Sequence, residues 1–228
     1  MKFIKRLIFL VIIVVIIGIA AVGKIGYDYY QEVLQEKSFD ARIKEIKNDE
    51  GFVKYDNLSE YYINAVIAVE DHRFFEHGAI DFVSIGRAIR TNIQNQEFKE
   101  GGSTITQQVA KNVFFTQEET LKRKSAELFA AIDLERALSK EAVFELYVNT
   151  SYFGNGYYGI EEASNGYFDK EPNELDLDEA SMLAGIPNAP SVYAPTKNPE
   201  LAKKRQQHVL RKMVEYGFIT QEEANSVN

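Results

Sequence analysis

The chain has no cysteine. That absence excludes a disulfide framework, zinc–thiolate and iron–sulfur sites, and thiol catalysis. It leaves an extracytoplasmic location open, because 228 residues with 45% hydrophobic content bury a core without covalent staples. Basic residues are outnumbered, 26 Lys and Arg against 34 Asp and Glu, which gives a net charge of −8. A general nucleic-acid binder is thereby excluded. Histidine is scarce: His72 and His77 lie five residues apart, not at the i, i+4 spacing of a zinc-binding helix. No metal is assigned to them, and both read as structural. No stretch alternates apolar and polar residues over several strands, and neither a 20–50-residue repeat nor a low-complexity tract occurs. What remains is an all-α or nearly all-α chain.

The charge that is present is unevenly placed. Residues 1–24 hold Lys2, Lys5, Arg6 and Lys24 and no acid, so the other 204 residues carry 22 basic against 34 acidic groups. From Leu7 to Gly23 run 17 residues without a charge. At ~1.5 Å per residue they reach roughly 25 Å, the short end of a bilayer span. The cations ahead of this run place the N-terminus in the cytoplasm and the remainder outside. Ala21-Val22-Gly23 fits a signal cleavage site, but the run is longer than the usual apolar region of roughly 7–15 residues and favours a retained anchor. The expected organisation is a cytoplasmic N-terminus over 1–6, a transmembrane anchor over 7–23, a helical stalk over 24–50 and a folded domain over 51–228. Helical patterns fall at 80–95, 104–115, 120–138, 140–149, 175–186 and 199–216. A further helix over 61–69 would be capped by Asn57 or Ser59, with Asn57-x-x-Glu60 fitting a capping box.

Three segments could carry chemistry. In Ile63–Gly78, helical spacing puts Ile63, Val66, Ile67, Glu70 and Phe74 on one face. A carboxylate on an apolar stripe is desolvated and suited to proton transfer near neutral pH. The alternative is a helix-ending Glu70 paired with Arg73 or His77. In Lys99–Asn112, Gly101-Gly102 precedes Ser103 and Thr104, and Thr104-x-x-Gln107 is a capping box by type. The first-turn amides of that helix would face phosphate, with Gln107 and Lys111 four apart on one side. The alternative is an ordinary capped helix with an exposed lysine. In Leu121–Leu138, Leu121, Leu128, Ala131 and Ile132 are expected to form the buried face. Arg123 and Lys124 meet Glu127 in the orientation that helps a helix least, which suits either an anion-handling cluster or a solvated face. Phe82, Ile85, Ile89 and Ile93 form an apolar stripe beside Arg87 and Arg90, read as interfacial helix or core.

Taken in order, these segments resemble a known family. They are Glu70-Asp71-x-x-Phe74-x-x-His77-Gly78, Gly102–Gln108, Arg123-Lys124-x-x-Glu127, Lys140-Glu141-x-x-x-Glu145–Asn149, and Arg205-x-x-x-Val209-Leu210. This set is similar to the five motifs of the peptidoglycan glycosyltransferases, over roughly residues 53–220. Ser151–Phe168 also looks like the family. Ala126 stands where some members carry a basic residue, which bears on one phosphate contact. The resemblance implies a lysozyme-like α-helical head with a smaller membrane-associated jaw. It implies a bacterial cell-membrane enzyme that polymerises lipid II onto a growing glycan strand by inverting displacement of undecaprenyl pyrophosphate. Glu70 would be the base. Glu127 would assist the leaving group, directly or through a divalent cation (Mg or Mn), with no cofactor obligatory. Asp71, Phe74, His77, Gly78, Ser103, Thr104, Gln107, Gln108, Lys111, Arg123 and Lys124 would bind substrate. Other cell-wall synthesis proteins would be partners, and nucleic acid would not. A lysozyme-like glycan-cleaving enzyme and a non-catalytic membrane scaffold are the rival readings. The chain holds no Ser-x-x-Lys motif, so a monofunctional enzyme is the simpler expectation.

Overall fold

The computed structural model describes residues 2–95, 101–116 and 120–227. Lys99 and Glu100, at the start of the Gly-rich segment, lie outside them. Among the described residues the chain is all α, and its sole β feature is an isolated bridge between Tyr152 and Tyr158.

Helix α1 (Lys2–Glu36) is one unbroken rod. An 18-residue window in it has a mean hydropathy of 3.0 and is wholly exposed, so α1 is long and apolar enough to cross a membrane. Past residue 25 its character changes: Gly26, Tyr30 and Val33 are buried. The segment expected as a stalk therefore belongs partly to the domain core. Helix α2 (Phe39–Lys47) follows a Ser38 cap, whose hydroxyl accepts from Ala41 N, and adds Ile43 to the same core.

Helix α3 (Glu60–Glu70) starts after Ser59, but not through the expected cap. The Ser59 hydroxyl donates instead to Leu175 O at 2.7 Å, which ties α3 to the segment ahead of a later helix. Asn57 lies in a separate single turn over Tyr55–Asn57, so no Asn57–Glu60 box forms. Helix α4 (Phe82–Asn95) is capped by Asp81, which accepts from Val83 N at 2.9 Å and from the Ser84 hydroxyl at 2.6 Å. Its stripe is not core: Phe82, Val83, Ile89 and Ile93 are exposed and only Ala88 is buried.

Helix α5 (Ile105–Phe114) has the expected capping box between Thr104 and Gln107. Helix α6 (Leu121–Ala137) does not bury the expected face. Leu121 is 79% exposed, Leu128 and Ile132 are half-buried, and the buried positions include Arg123, Ala126, Glu127, Ala130, Ala131 and Leu134. The reason is packing: α6 lies against both α1 and α5, and its alanines admit both helices closely. Ala126, at the position expected to affect a phosphate contact, is fully buried.

Helix α7 (Lys140–Thr150) is capped by Ser139, and α8 (Gly159–Phe168) follows. The opening glycine of α8 has φ +81°, and a Cβ there would lie 3.2 Å from Asn149 O. The opening Gly159 and the internal Gly166 hid α8 from the periodicity reading. Helix α9 (Leu177–Gly185) starts on an Asp176–Glu179 capping box. The short α10 (Pro190–Tyr193), α11 (Pro199–Glu215) and α12 (Gln221–Ser226) complete the chain. Helices α3, α9 and α11 pack mutually, α5 packs on α6 and α7, and one continuous core joins the two groups. Phe74, Phe144 and Phe153 are fully buried in it, each contributing about 1.5–3 kcal/mol of apolar burial.

Candidate active site

A cleft of about 660 Å³ opens where α3 and α11 face α5 and α6. Glu70, the last residue of α3, enters it with its side chain 10% exposed. The negative end of a helix is an unfavourable place for a carboxylate, and two neighbours offset this. Gln108 Nε2 donates to Glu70 Oε2 at 2.8 Å, and Arg205 Nη2 stands 3.6 Å from Oε1. Arg205 is itself held by Gly185 O at 3.3 Å and by the Tyr193 ring, 5.8 Å away. Oε1 is buried and receives no hydrogen bond from the described residues, which leaves it an open proton acceptor. Glu70 is not the helix-ending partner of Arg73 or His77. Arg73 bonds Glu76 at 3.1 Å, and His77 bonds Asp71.

Glu127 lies across from it, 1% exposed, in contact with Arg123 Nη1 and 2.9 Å from Lys124 Nζ. Lys124 also donates to Ser103 Oγ at 3.0 Å. A solvated salt-bridge face is therefore the wrong description: the carboxylate and the Arg123 guanidinium are both buried. Burial, first of all, pushes the Lys111 ammonium below its ordinary value of 10.5. Glu127 and Glu70 pull it back up, while Arg123 and Lys124 add to the lowering.

Two of the first-turn amides of α5 that were expected to face phosphate are taken by the chain's own groups. Asp71 Oδ2 accepts from Ile105 N at 3.1 Å, and Thr104 Oγ1 accepts from Gln107 N at 3.2 Å. Asp71 Oδ1 takes His77 Nε2 at 2.7 Å, while His77 Nδ1 faces Gly78 O at 2.6 Å. With an acceptor at each nitrogen, the ring donates on both sides when it is protonated, and this favours the charged form. Burial alone lowers its proton affinity, but the bond to Asp71, that carboxylate's charge and the Gly78 carbonyl together raise its pKa above 6.5. Asp71, His77 and Asp81 have ligand-type atoms within 4.8 Å of one another, yet their lone pairs serve these bonds and the cap of α4.

Of the residues expected to bind substrate, Asp71, Ser103, Gln107, Gln108, Lys111, Arg123 and Lys124 line the cleft. Phe74, His77, Gly78 and Thr104 do not. Phe74 is fully buried under Lys140, 4.4 Å from its ring, and His77, Gly78 and Thr104 belong to the Asp71 hub and the α5 cap. Of the expected binders that do line the cleft, Asp71 and Gln107 spend their side chains on scaffold bonds.

A second cationic wall went unread in the sequence. Arg205, His208, Lys212 and Tyr216 project from one face of α11 and the residue after it. Their spacing of three, four and four was the available signal. Burial, with Arg205, Arg211 and Lys212, holds the His208 imidazole down at about 4. His72, expected to be structural, lines this wall. Its ring stacks on Tyr216 at 4.1 Å and accepts from Arg87 Nη1 at 3.0 Å, and Arg87 also reaches the Tyr216 hydroxyl at 3.4 Å. Burial and then Arg87 lower the His72 pKa against the pull of Asp71 and Asp81.

This all-helical domain holds two buried carboxylates in one cleft, each beside basic side chains, an arrangement suited to proton transfer beside an anionic group. The chain matches the family described as Transglycosylase over residues 38–214, and it belongs to that family. It is 47% identical over 172 residues to penicillin-binding protein 1A of Aquifex aeolicus (strain VF5), covering 75% of this chain and 24% of that protein. It is 46% identical over 172 residues to penicillin-binding protein 1F of Bacillus subtilis (strain 168), with the same two coverages. The crystal structure of penicillin-binding protein 1A from Haemophilus influenzae aligns at 22% identity and a TM-score of 0.45, covering 77% of this chain and 17% of that one. The chain thus spans about a quarter of the length of the curated relatives it matches.

Proposed function

We propose that this domain is a peptidoglycan glycosyltransferase that polymerises lipid II at the outer face of a bacterial cell membrane, with α1 as its anchor and the N-terminus in the cytoplasm. The observation that carries the reading is Glu70 Oε1, a buried acceptor without a hydrogen bond from the described residues, in a cleft walled by cations. Glu70 takes the proton of the acceptor sugar's 4-hydroxyl as that oxygen attacks the anomeric carbon at the end of the growing strand. The new C–O bond forms as the bond to undecaprenyl pyrophosphate breaks, in a single inverting displacement.

Negative charge grows on the leaving pyrophosphate, and preorganised cations stabilise it without reorganisation. Lys111, Arg123 and Lys124 supply that charge, with Ser103 alongside. The Ile105 and Gln107 amides of α5 do not, since Asp71 and Thr104 use them. Glu127 organises Arg123 and Lys124. The acceptor is itself a lipid pyrophosphate, and the wall of Arg87, Arg205 and Lys212 suits the one that stays. A glycan-cleaving enzyme has no need of either set of cations.

The test is Glu70→Gln with labelled lipid II in detergent. The variant keeps its fold and loses polymerisation by about 10²–10⁴. Near-normal turnover in a folded variant would sink the assignment.

A further inference from the structure

Helix α1 passes from its apolar segment into the packed domain without a break. Its hold on the domain begins at the junction itself. Ser125 Oγ donates to Val22 O at 3.0 Å, and Gly26 sits so close to α6 that a Cβ would stand 2.7 Å from the backbone carbon of Ser125. Gly23 and Gly26 are the residues that weaken a helix most in this stretch, and the Ser125 contacts bracket both. Further along, Tyr27 meets Phe129 edge-on at 5.4 Å, and the buried Tyr30 donates to Asp133 at 3.1 Å. At the far end Arg42 donates to Val33 O, Lys37 O and Val113 O at 3.2, 3.2 and 3.3 Å. One guanidinium thereby closes the C-terminal carbonyls of α1 and of α5. The two helices fastened in this way are the ones that carry Gln108, Lys111, Arg123, Lys124 and Glu127.

We propose that residues 22–33 of α1 are a positioning element that fixes the height and tilt of the cleft above the bilayer, with Gly26 as the residue whose missing side chain allows it. The proposal rests on reading residues 7–23 as a membrane anchor and the cleft as the site of a lipid-linked pyrophosphate. Such a pyrophosphate stays at the headgroup plane, because lifting it drags methylenes into water. A helix advances ~5.4 Å per turn, so a rigid strut with the wrong register carries the cations away from that plane. A flexible tether would let the domain settle at any height, whereas this junction is packed on both sides of its glycines.

The absence of cysteine permits a direct test. Lys204→Cys, at an exposed position, takes one fluorophore, and energy transfer to labelled lipid in vesicles reports its height. Seven helix-forming residues inserted between Gly23 and Lys24 add two turns, or ~10.5 Å, and leave residues 24–36 on α6. The label should rise by about that distance. Polymerisation of long-chain lipid II in those vesicles should fall by about tenfold or more, as for a misplaced reactant, while a short-chain water-soluble analogue turns over as before. Gly26→Leu, with its thermal midpoint measured alongside, should show the same split between substrates. An unchanged label height, an equal loss on both substrates, or no loss on either would overturn the proposal. If the unaltered protein polymerises neither substrate, the transglycosylase reading fails, and the height measurement still judges the strut.

Discussion

Asp71→Asn tests whether one buried carboxylate organises the floor of the cleft. Asp71 is 3% exposed and serves two donors, His77 Nε2 at 2.7 Å and Ile105 N at 3.1 Å. Asparagine keeps the shape but loses the charge, and it has one oxygen for two donors. Charge-assisted hydrogen bonds contribute about 1.5–3 kcal/mol against about 0.5–1.5 for neutral ones, and a buried donor left unpaired costs about 1–3. The α5 N-terminus also loses its anion, a term of up to about 2 kcal/mol in a partly buried geometry. The expected loss is about 3–5 kcal/mol, read as the shift in urea unfolding of the detergent-solubilised protein. The sign of its pH dependence follows from His77, whose folded pKa is raised above 6.5. A raised histidine stabilises fully below its unfolded value and loses that contribution as pH rises through its folded value. The gap between wild type and Asp71→Asn is therefore widest near about pH 6 and narrows in alkali. A gap under about 1 kcal/mol at that pH, or one that widens as pH rises, would refute the reasoning.

Lys124→Ala removes a partner of Glu127 and Ser103 from the leaving-group side. Its rate should fall by about one to two decades, because a charge-assisted bond acting in the transition state is lost. Its stability should change by less than about 1 kcal/mol, since the ammonium is half exposed. Lys111 titrates below its ordinary value, so its charge is lost earlier as pH rises. Lys111→Arg keeps a cation throughout and should move the alkaline limb of the pH–rate profile upward; an unmoved limb would place that limb on another group.

The elements that carry strong local signals were legible in the sequence. The Thr104–Gln107 box and the apolar run of α1 follow from short-range chemistry, and each is present. Glu70 was legible as a carboxylate on an apolar stripe, whereas the burial of Glu127 was not, because beside Arg123 and Lys124 it read equally as part of a solvated face. What stayed hidden depends on which helix lies opposite. The buried side of α6 is set by α1 and α5 together, so Leu121 is outside and Arg123 inside. Likewise, the use of the α5 amides by Asp71 is a contact between residues 34 apart, and no local pattern announces it. The α11 wall was readable as one helical face, but its charges look like an ordinary solvated surface until α3 and α4 are placed across from them.

The neutral imidazole of His208 has a consequence for the way that wall attracts an anion. At about 4 its proton is gone in any ordinary growth medium, while burial and Arg87 shift the neighbouring His72 downward as well. The positive field there comes from Arg205, Lys212 and Arg87, with no titrating contribution from His208. Its reach is set by the screening length of about 8 Å at physiological salt. Capture of an anionic headgroup on this side of the cleft should therefore weaken steeply with added salt, and His208 should add no response to mild acidification.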